Sequence, residues 1–287
     1  MKKHKILILS NFGYESGIIG GQTVKVEHIY KLFDRKKKYY DFSLNYFDTD
    51  VFKNRFLIFK NIIVLFLSLI NSNTLIFVGS KNNLKYLFPF LYCICFIFNV
   101  KIHYVVVGGW LSDFLSSNPL FVYFLRRINS IYPENHKLCD ELKNNFFLNN
   151  VVQLNNFRLV DNQVDSIVQL NPNSDIKLVF MARVSPHKGV DTIFSLGERL
   201  QSESLDNISI DIYGPIEKGY EEKFNDMLQK APKFIQYKGV IEPQKVYGVL
   251  RNYNVMLFPT KYSGEGFPGT VLDAYISGLP IIASGWQ

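Results

Sequence analysis

The stretch Gly264–Gln287, GEGFPGTVLDAYISGLPIIASGWQ, contains the pattern that decides the fold. It predicts a tight glycine-rich loop, an amphipathic helix that begins at Thr270, a Gly-Leu-Pro stop and a buried strand, LPIIAS, at 279–284. A short apolar strand next to a helix is typical of a parallel sheet whose faces are covered by helices. The same unit recurs upstream, so this stretch predicts the architecture of the whole chain.

The rest of the sequence repeats the alternation of strand and helix in two blocks. Apolar runs without regular alternation predict strands in the first block at 5–9, 41–47, 74–79 and 101–109. The second block has predicted strands at 177–182, 208–214, 234–239, 255–259 and 279–284. Helices are predicted at 23–37, over most of 53–71, and at 81–98, 188–202 and 219–230. The fold class is therefore α/β, with two Rossmann-like, doubly wound parallel-sheet domains.

A polar stretch between the two blocks marks the domain boundary. Asn, Pro and Ser cluster at the end of residues 158–175, which is typical of a linker. We expect an N-terminal Rossmann-like domain at 1–160, a linker at 161–175 and a C-terminal Rossmann-like domain at 176–287. Two such domains in tandem usually face a cleft that binds a ligand at the carboxyl ends of their strands.

The composition fits a globular protein of the cell interior. The 287 residues suffice for two hydrophobic cores, and 47% are apolar against 20% charged. Cys93, Cys95 and Cys139 are too few for a disulfide framework, so we expect buried, reduced thiols. The apolar run Ile6–Leu9 is too short for a signal peptide, and the longer apolar runs are too short or too interrupted to span a bilayer. A cytoplasmic location follows.

Charge is distributed unevenly along the chain. Residues 1–160 carry 20 basic and 10 acidic side chains, whereas residues 161–287 carry 12 basic and 15 acidic ones. Two interpretations stay open: a solvated basic surface, or attraction of the first domain to an anionic partner, either a membrane or a phosphate. The segment 35–40, RKKKYY, favours peripheral docking on the inner face of the plasma membrane. No helix-turn-helix, zinc or aromatic-platform signature is visible, so we expect no nucleic-acid partner.

Glycines follow the first predicted strand. Gly20 and Gly21 open the first helix, and their spacing is not that of a dinucleotide-binding fingerprint. Without Cβ atoms the backbone can approach a ligand closely, and the helix N-terminus offers free N–H groups to a phosphate. A plain turn is the alternative interpretation of this pair.

Two cations flank the turn that follows the first strand of the second block. Arg183 offers a planar fork for phosphate oxygens, and Lys188, five residues on, offers a point charge. Across a turn that contains Pro186, such a pair can converge on one anion. The alternative is two solvated surface charges, and we expect His187 beside them to be exposed rather than catalytic.

The loop of the opening stretch holds a carboxylate that a hydrophobic core would not need. Glu265 lies between two glycines, and Pro268 and Gly269 shape the turn before the helix. The helix N-terminus can take a diphosphate while the Glu265 carboxylate faces the hydroxyl groups of the ligand. Asp273 comes one turn into the helix, and a helix-capping role is its alternative interpretation.

Taken in order, three stretches resemble one family. GGQTVKV at 20–26, RVSPHKG at 183–189 and GEGFPGTVLDAYISGLPIIAS at 264–284 are similar to the retaining glycosyltransferases of the GT-B fold, glycosyltransferase family 4. The resemblance covers essentially the whole chain. Its most specific part is the E-G-F-P stretch, and its least specific part is the first glycine pair.

The resemblance implies a donor-binding role for the final loop. Glu265 matches the first acid of the family's E-x7-E motif, which hydrogen-bonds the donor sugar. The family's loop whose backbone amides meet sugar and phosphate matches Gly266, Phe267, Gly269 and Thr270.

The resemblance also assigns roles to the charged and glycine pairs upstream. Arg183 and Lys188 match the cations that hold the nucleotide diphosphate, so together with Glu265 they are the expected catalytic residues. Gly20 and Gly21 match the N-terminal loop that closes over donor or acceptor.

Three positions depart from the family pattern. The second acid of the motif, which grips the ribose hydroxyls, is Asp273 and is one methylene shorter than Glu. Ala182 stands where the family usually has Gly. The histidine that many members carry after the fourth strand is not visible in VVVGGWLSD at 105–113, and His103 lies at the wrong end of that strand. The missing histidine puts the acceptor chemistry of the first domain in doubt, not the donor site.

The resemblance implies a chemistry as well. A sugar would move with retention from a nucleotide-diphosphate sugar to a glycan or lipid-linked acceptor, in the assembly of a surface polysaccharide. The leaving group gains negative charge, which the enzyme must stabilise more in the transition state than in the ground state. Cations and helix N-termini can do so without a metal ion, so we expect no metal and no other cofactor. Asp48-Thr49-Asp50 has the spacing of a metal motif, but we expect it on the surface.

Two other functions stay open. A GT-B sugar-nucleotide epimerase would need acid–base carboxylates and histidines, in which the first domain is poor. A non-catalytic donor-binding subunit fits the shorter Asp273 and the missing histidine. Family members continue past the last strand with further helices, so we expect a truncated chain that leaves the apolar strand 279–284 uncovered on one side.

Overall fold

The chain forms two compact units. The computed structural model describes residues 3–17, 20–160, 175–205 and 207–285, and for Arg55 the backbone alone. The first unit contains Met1–Leu159 and the segment Gly264–Phe267, and the second contains Val160–Ser263 and Pro268–Gln287. Of the predicted linker at 161–175, only the last residue lies within the described part of the chain.

The first unit is built on a five-stranded parallel sheet in the order β2-β1-β3-β4-β5. Its strands are β1 at His4–Ser10, β2 at Phe42–Asp48, β3 at Thr74–Gly79, β4 at Lys101–Val106 and β5 at Ser130–Tyr132. The four apolar runs of the first block are the first four of these strands. Strand β5 is not predicted by the sequence, because three residues are too few for a hydrophobic period to show.

Helices connect the strands of the first sheet. They are α1 at Gly21–Lys36, α2 at Ile58–Ile70, α3 at Phe88–Ile97, α4 at Leu111–Ser117, α5 at Leu120–Arg127 and α6 at His136–Phe146. Two 3₁₀ turns, Thr49–Lys53 and Arg55–Leu57, precede α2, and a π turn, Asn83–Leu87, precedes α3. Among the described residues, no helix is long and apolar enough to cross a membrane.

Alternating side chains of the first sheet enter two separate cores. Leu7 and Leu9 pack in the same core as Phe77, whereas Ile8 packs with Val78 in the other. Successive residues of a strand point to opposite faces, so both faces of the sheet bury apolar side chains and need a cover of helices. All six residues of β3 are buried, which explains why its sequence, TLIFVG, shows no alternation.

The second unit repeats this architecture with a parallel sheet in the order β10-β9-β6-β7-β8. Its strands are β6 at Ile176–Met181, β7 at Ile208–Tyr213, β8 at Ile235–Gly239, β9 at Val255–Phe258 and β10 at Ile281–Ala283. Its helices are α7 at Val190–Ser202, α8 at Glu221–Lys230, α9 at Val246–Leu250 and α10 at Gly269–Ile276. The five predicted strands are confirmed. Of the four helices named here, the one-turn helix α9 is not predicted by the sequence.

The cover of the second sheet is uneven. Val179 and Met256 are fully buried with Ala274 on one face, and Phe180 is buried on the other. The edge strand β10 is different, because Ile282 is 63% exposed. One apolar side chain of this edge strand therefore faces solvent.

Two predictions about single residues are wrong. Asp48 and Asp50 are buried rather than on the surface, at 7% and 1% exposure, because their carboxylates accept hydrogen bonds from backbone N–H groups of the loop after β1. Cys93 is exposed, whereas Cys95 and Cys139 are buried as predicted. Cys93 and Cys95 both lie on α3, where residues two positions apart point to different faces.

The strand order gives each sheet a topological switch point. In the first unit the chain leaves β1 for β2 on one side and later returns to β3 on the other. In the second unit it leaves β6 for β7 and later returns to β9. In open α/β sheets, ligands bind outside the carboxyl ends of the strands at such points. The fold therefore favours a site in the loops after β1 and β3, and in the loops after β6 and β9.

Candidate functional site

The switch point of the second sheet carries the two predicted cations. Arg183 follows the end of β6, and Lys188 ends the 3₁₀ turn Pro186–Lys188 ahead of α7. The Arg183 side chain is 58% exposed, and its Nη1 lies 4.0 Å from Glu217 Oε1. Lys188 is half-buried, with Nζ 5.3 Å from the centroid of the Tyr262 ring. The guanidinium is thus open to solvent, as anion binding requires.

Backbone packing determines the conformation of the turn after β6. Gly189 has a φ of +75°, and a Cβ there would overlap the carbonyl oxygen of Pro259 at the end of β9. Lys261 N donates to His187 O at 2.8 Å, and Lys261 Nζ pairs with Asp191 Oδ2 at 2.6 Å. These contacts join the loop after β6 to the loop after β9, the two strands that flank the switch point. His187 itself is exposed, as predicted.

Helix α10 begins at Gly269, one residue earlier than predicted. Pro268 at its N-cap supplies no side-chain hydrogen bond, so the first-turn N–H groups of Gly269 and Thr270 are of the kind that helices offer to anions. Asp273 lies beyond the first turn, and its Oδ1 accepts a hydrogen bond from Tyr247 Oη at 3.4 Å. Because the helix dipole acts mainly within the first turn, the capping interpretation of Asp273 loses its support.

The predicted glycine pair lies at the switch point of the first sheet. Gly20 is the N-cap of α1 and Gly21 its first residue, and Thr23 Oγ1 accepts from Gly20 N at 2.8 Å. A Cβ on either glycine would meet no atom within 4 Å. Packing inside the protein therefore does not require glycine here, and open space lies beside the backbone. Gln22 Nε2 donates to Ser10 Oγ at 3.3 Å, which ties this helix start to the end of β1.

The segment Gly264–Phe267 packs on the loop after β4. Gly109 N donates to Gly264 O at 2.9 Å, and a Cβ on Gly109 would lie 2.9 Å from Glu265 O. Asn156 Nδ2 donates to Phe267 O, also at 2.9 Å. Glu265 is buried, with 9% of its surface exposed. The glycines after β4 therefore permit a close approach of two backbones.

Two charged residues next to this segment, Lys25 and Glu134, are not among the predicted site residues. Lys25 Nζ lies 2.6 Å from Glu134 Oε1, and the two side chains are only 1% and 5% exposed. Glu134 Oε2 accepts hydrogen bonds from Phe267 N at 3.1 Å and from Gly108 N at 3.3 Å. A lysine between two valines on α1 was the available signal, because a lysine on the inward face of a helix needs a partner.

Carboxylates at the end of β2 hold the loop after β1. Asp48 accepts from Phe12 N at 2.9 Å and from Tyr14 N at 3.0 Å, and Asp50 accepts from Ser16 N at 2.7 Å. Every second amide of this part of the loop is therefore bound to a carboxylate. Within the described part of the chain, no group of three or more His, Cys, Asp or Glu is arranged to hold a metal ion.

His103 lies in the first half of β4, away from the end where ligands bind. Its Nδ1 is 3.3 Å from Tyr132 Oη, and burial lowers the pKa of its imidazole. This position agrees with the expectation that His103 lies at the wrong end of the strand to take part in the site.

The predicted site residues fall into separate groups in the structure. Three of them belong to the segment that packs in the first unit, namely Glu265, Gly266 and Phe267. Two more, Gly20 and Gly21, start α1 at the switch point of the same unit. The others belong to the second unit: Arg183, Lys188, Gly269, Thr270 and Asp273.

Comparison with known proteins places part of the chain in a described domain. Residues 161–285 match the family model "Glycosyl transferases group 1". A curated relative from Streptococcus parasanguinis, the GtfA subunit of UDP-N-acetylglucosamine–peptide N-acetylglucosaminyltransferase, is 35% identical over 103 residues. That match covers 35% of this chain and 19% of the relative, so the chain spans about a fifth of the length of the curated protein that it matches.

Solved structures share the fold. HepE from Anabaena, crystallised with UDP and glucose, superimposes with a TM-score of 0.68 and 11% identity over 99% of this chain and 82% of its own. TarM from S. aureus, crystallised as a mutant with fondaparinux, α-GlcNAc-glycerol and UDP, has a TM-score of 0.56 and 18% identity over 73% of this chain and 41% of its own. At these identities the likeness concerns the fold alone.

Together the sheets and the comparisons establish two points. The architecture is that of the GT-B fold, with two Rossmann-like units each built on a parallel five-stranded sheet. Residues 161–285 carry a glycosyl transferases group 1 domain, and both predicted cations lie within it.

Proposed function

We propose that the protein is a retaining glycosyltransferase that moves a sugar from a nucleotide-diphosphate sugar to a glycan or lipid-linked acceptor, in the assembly of a surface polysaccharide. The observation that carries the proposal is the position of Arg183 and Lys188. Both lie after β6, at the switch point of the sheet within the glycosyl transferases group 1 domain. Ligands of open α/β sheets bind at such points, and a diphosphate is a ligand that this pair of cations suits.

The cations would act on the leaving group. When the sugar–phosphate bond breaks, its electron pair stays on the diphosphate oxygen, so the nucleoside diphosphate gains negative charge. A guanidinium and an ammonium that are already in position stabilise this charge without reorganisation. The first-turn amides of Gly269 and Thr270 supply further positive potential from a helix N-terminus. No step of this chemistry calls for a metal ion or another cofactor.

Glu265 and Asp273 would bind the neutral parts of the donor. We assign the Glu265 carboxylate to the sugar hydroxyls and Asp273 to the ribose hydroxyls, with the backbone of Gly266 and Phe267 beside the sugar. We assign uracil as the donor base, because the curated relative is a subunit of a UDP-N-acetylglucosamine-dependent transferase and both TarM and HepE were crystallised with UDP. Gly20 and Gly21 border open space and would admit donor or acceptor.

A non-catalytic donor-binding subunit is the second candidate. The observation in its favour is Asp273, whose shorter carboxylate already accepts a hydrogen bond from Tyr247. If Asp273 binds the ribose more weakly than Glu would, turnover should fall more than the affinity for the diphosphate.

The test compares cation variants with matched controls. Arg183→Ala and Lys188→Ala should each reduce sugar transfer from UDP-sugars by roughly 10²–10³-fold, the effect of losing one preorganised charge-stabilising group. Arg199→Ala and Lys230→Ala remove a 76% and a 74% exposed cation from the same unit and should leave transfer unchanged. Calorimetric titration with UDP and product analysis by mass spectrometry give the two readouts.

The readouts separate the candidates. Loss of UDP binding and of transfer in the Arg183 and Lys188 variants supports a transferase. UDP binding that depends on these cations, without turnover on glycan or lipid-linked acceptors, identifies the binding subunit instead. Equal UDP affinity in the wild type and both variants removes the two cations from the site.

We further propose that the first unit docks on an anionic membrane, and that α2 and α3 form the docking face. Large apolar side chains on or beside these helices are solvent-exposed: Phe56 at 99%, Phe59 at 85%, Ile63 at 57%, Phe96 at 74% and Ile97 at 72%. The Phe66 and Phe98 rings lie 5.9 Å apart and join the two helices into one surface. Residues 51–112 contain six Lys or Arg and no Asp or Glu. A binding partner that suits this face is therefore anionic as well as apolar, as a membrane with anionic lipids is.

A further inference from the structure

The buried ion pair of Lys25 and Glu134 has no part in the function proposed above. The two residues are only 1% and 4% exposed, and their charged atoms lie 2.6 Å apart. Desolvation of two charges is expensive, and a well-packed apolar pair is often as stable as a buried ion pair. Stability alone therefore does not explain why charges occupy this position.

Within the described part of the chain, the hydrogen bonds of Glu134 lead to elements around the segment Gly264–Phe267. Oε1 binds Lys25, which also donates to Val106 O at the end of β4, at 3.1 Å. Oε2 accepts from Gly108 N in the loop after β4 and from Phe267 N in the segment itself. One carboxylate therefore joins α1, the end of β4 and the segment.

The segment fits against Glu134 without spare room. A Cβ on Gly266 would overlap Glu134 Oε2, and a Cβ on Gly109 would lie 2.9 Å from Glu265 O. Phe267 N binds one oxygen of the carboxylate, so a displacement of either partner must change both contacts. The backbone on both sides of the Glu265 side chain is thereby in contact with the loop after β4 or with Glu134.

We propose that Glu134, held in place by Lys25, is a positioning residue that anchors the backbone of Gly264–Phe267 and so orients the Glu265 carboxylate. The anchoring depends only on the contacts above. Its consequence for sugar binding rests on the proposed function, in which Glu265 contacts the donor. Lys25 acts on the segment only through Glu134.

A matched pair of double variants tests the anchoring without any ligand. Both carry Lys25→Met, which removes the buried ammonium, and position 134 becomes either Gln or Leu. Charge-free replacements of a buried pair generally fold. Glu134→Gln keeps an oxygen that can accept from Phe267 N, whereas Glu134→Leu has none. Hydrogen exchange of the amides at 264–267 can be followed by mass spectrometry of a peptide that contains them. Exchange should remain slow in the variant with Gln at position 134 and become at least tenfold faster in the variant with Leu.

A second test approaches the segment from the other side and leaves both charges in place. Gly109→Ala adds a Cβ against Glu265 O, whereas Gly248→Ala on α9 adds one with no atom within 4 Å. Gly109→Ala should speed exchange at 264–267 and raise the KM for the UDP-sugar about tenfold, because the segment must shift away from the added Cβ. Gly248→Ala should match the wild type in exchange at 264–267 and in KM.

The outcomes separate the two proposals. Equal exchange at 264–267 in the two double variants overturns the anchoring by Glu134. If the wild type neither binds UDP nor transfers sugar, the proposed function fails, and the exchange comparison still decides whether Glu134 anchors the segment.

Discussion

Two aspartates of β2 and the turn after it show how single side chains organise the first switch point. Asp48 and Asp50 accept hydrogen bonds from the amides of Phe12, Tyr14 and Ser16. These bonds fix the conformation of residues 11–17, none of which lies in a helix or strand. Buried carboxylates tolerate desolvation when several N–H groups bind the charged form. The loop that precedes Gly20 is therefore controlled by residues about 34 positions away in sequence.

The ionisation of Asp50 leads to a prediction about pH. Burial by itself raises the pKa of this carboxyl, but the hydrogen bonds from Lys53 and Ser16 outweigh it and hold the pKa below its ordinary value of 3.8. A depressed folded-state pKa contributes stability above the unfolded value, and this contribution is lost as pH falls through the folded value. Asp50→Asn should cost about 1–3 kcal/mol of unfolding free energy at neutral pH, the range for hydrogen bonds to a charged group.

Urea unfolding of the wild type and Asp50→Asn at a series of pH values checks this prediction. The gap between them should shrink as the pH falls below 3.8 towards the lower pKa of the carboxyl in the folded protein. Asp41→Asn is the control, because Asp41 is 75% exposed in its pair with Lys3 and should cost little at any pH. A gap that stays constant down to low pH would show that the charge of Asp50 is not what matters.

At the scale of an element, α3 separates two thiols that are neighbours in sequence. Cys93 is exposed on this helix and Cys95 is 1% exposed. Burial raises the pKa of the Cys95 thiol to about 12 and also raises the pKa of Cys139. Thiolates rather than thiols react with alkylating reagents. The three cysteines should therefore differ strongly in reactivity.

We expect iodoacetamide near pH 8 to label Cys93 first in the native protein. Cys95 and Cys139 should react at least tenfold more slowly, because both burial and a small thiolate fraction oppose them. Peptide mass spectrometry over time measures the three rates, and the protein in urea, where all three should react alike, is the reference. Labelling of Cys95 as fast as Cys93 in the native protein would contradict the burial of this face of α3.

At the scale of the whole molecule, charge and exposed apolar surface coincide in the first unit. The basic excess of residues 1–160 is not confined to the segment 35–40, because residues 51–112 lack acidic side chains altogether. Phe59 and Ile63 of α2 are exposed, and Lys60, between them in sequence, is exposed as well. This combination distinguishes the α2–α3 face from an ordinary solvated basic surface.

The membrane proposal predicts binding to vesicles that contain phosphatidylglycerol, weakened by salt, and little binding to phosphatidylcholine alone. The double variant Phe59→Ser with Ile63→Ser should bind at least tenfold more weakly, because each buried large apolar side chain contributes about 1.5–3 kcal/mol. Lys60→Gln should weaken binding about fivefold, equivalent to about 1 kcal/mol per basic residue. Co-sedimentation with vesicles measures all of these affinities.

Two comparisons make this prediction decisive. Leu205→Ser changes a 39% exposed side chain of the second unit and should bind like the wild type. Lys37→Gln tests the segment 35–40 and should have a smaller effect than Lys60→Gln if α2 and α3 form the docking face. Vesicle binding that is insensitive to Phe59 and Ile63, or a self-association that these substitutions abolish, would assign the face to a protein partner instead.

The sequence by itself determined the framework of both units. Runs such as TLIFVG at 74–79 lie in strands that are buried on both faces. Such burial requires consecutive apolar residues, and these can be recognised in the sequence. The loop chemistry after β6 was equally local, because Arg183, Lys188 and the glycine that follows them are close in sequence. Periodicity and turn residues report on neighbours within a few positions, so they predict elements and the ends of elements well.

Only the tertiary structure decided which distant groups meet. Lys25 and Glu134 are 109 positions apart, and Glu134 and Phe267 are 133 apart. The same holds for Asp48 and Asp50, which are expected on the surface from the sequence but are bound by amides of another loop. A buried charge is tolerated only where its partners converge, and that convergence depends on how the strands are ordered in the sheet. Local sequence patterns carry no record of that order, which is why the residues around Gly264–Phe267 emerged from the fold alone.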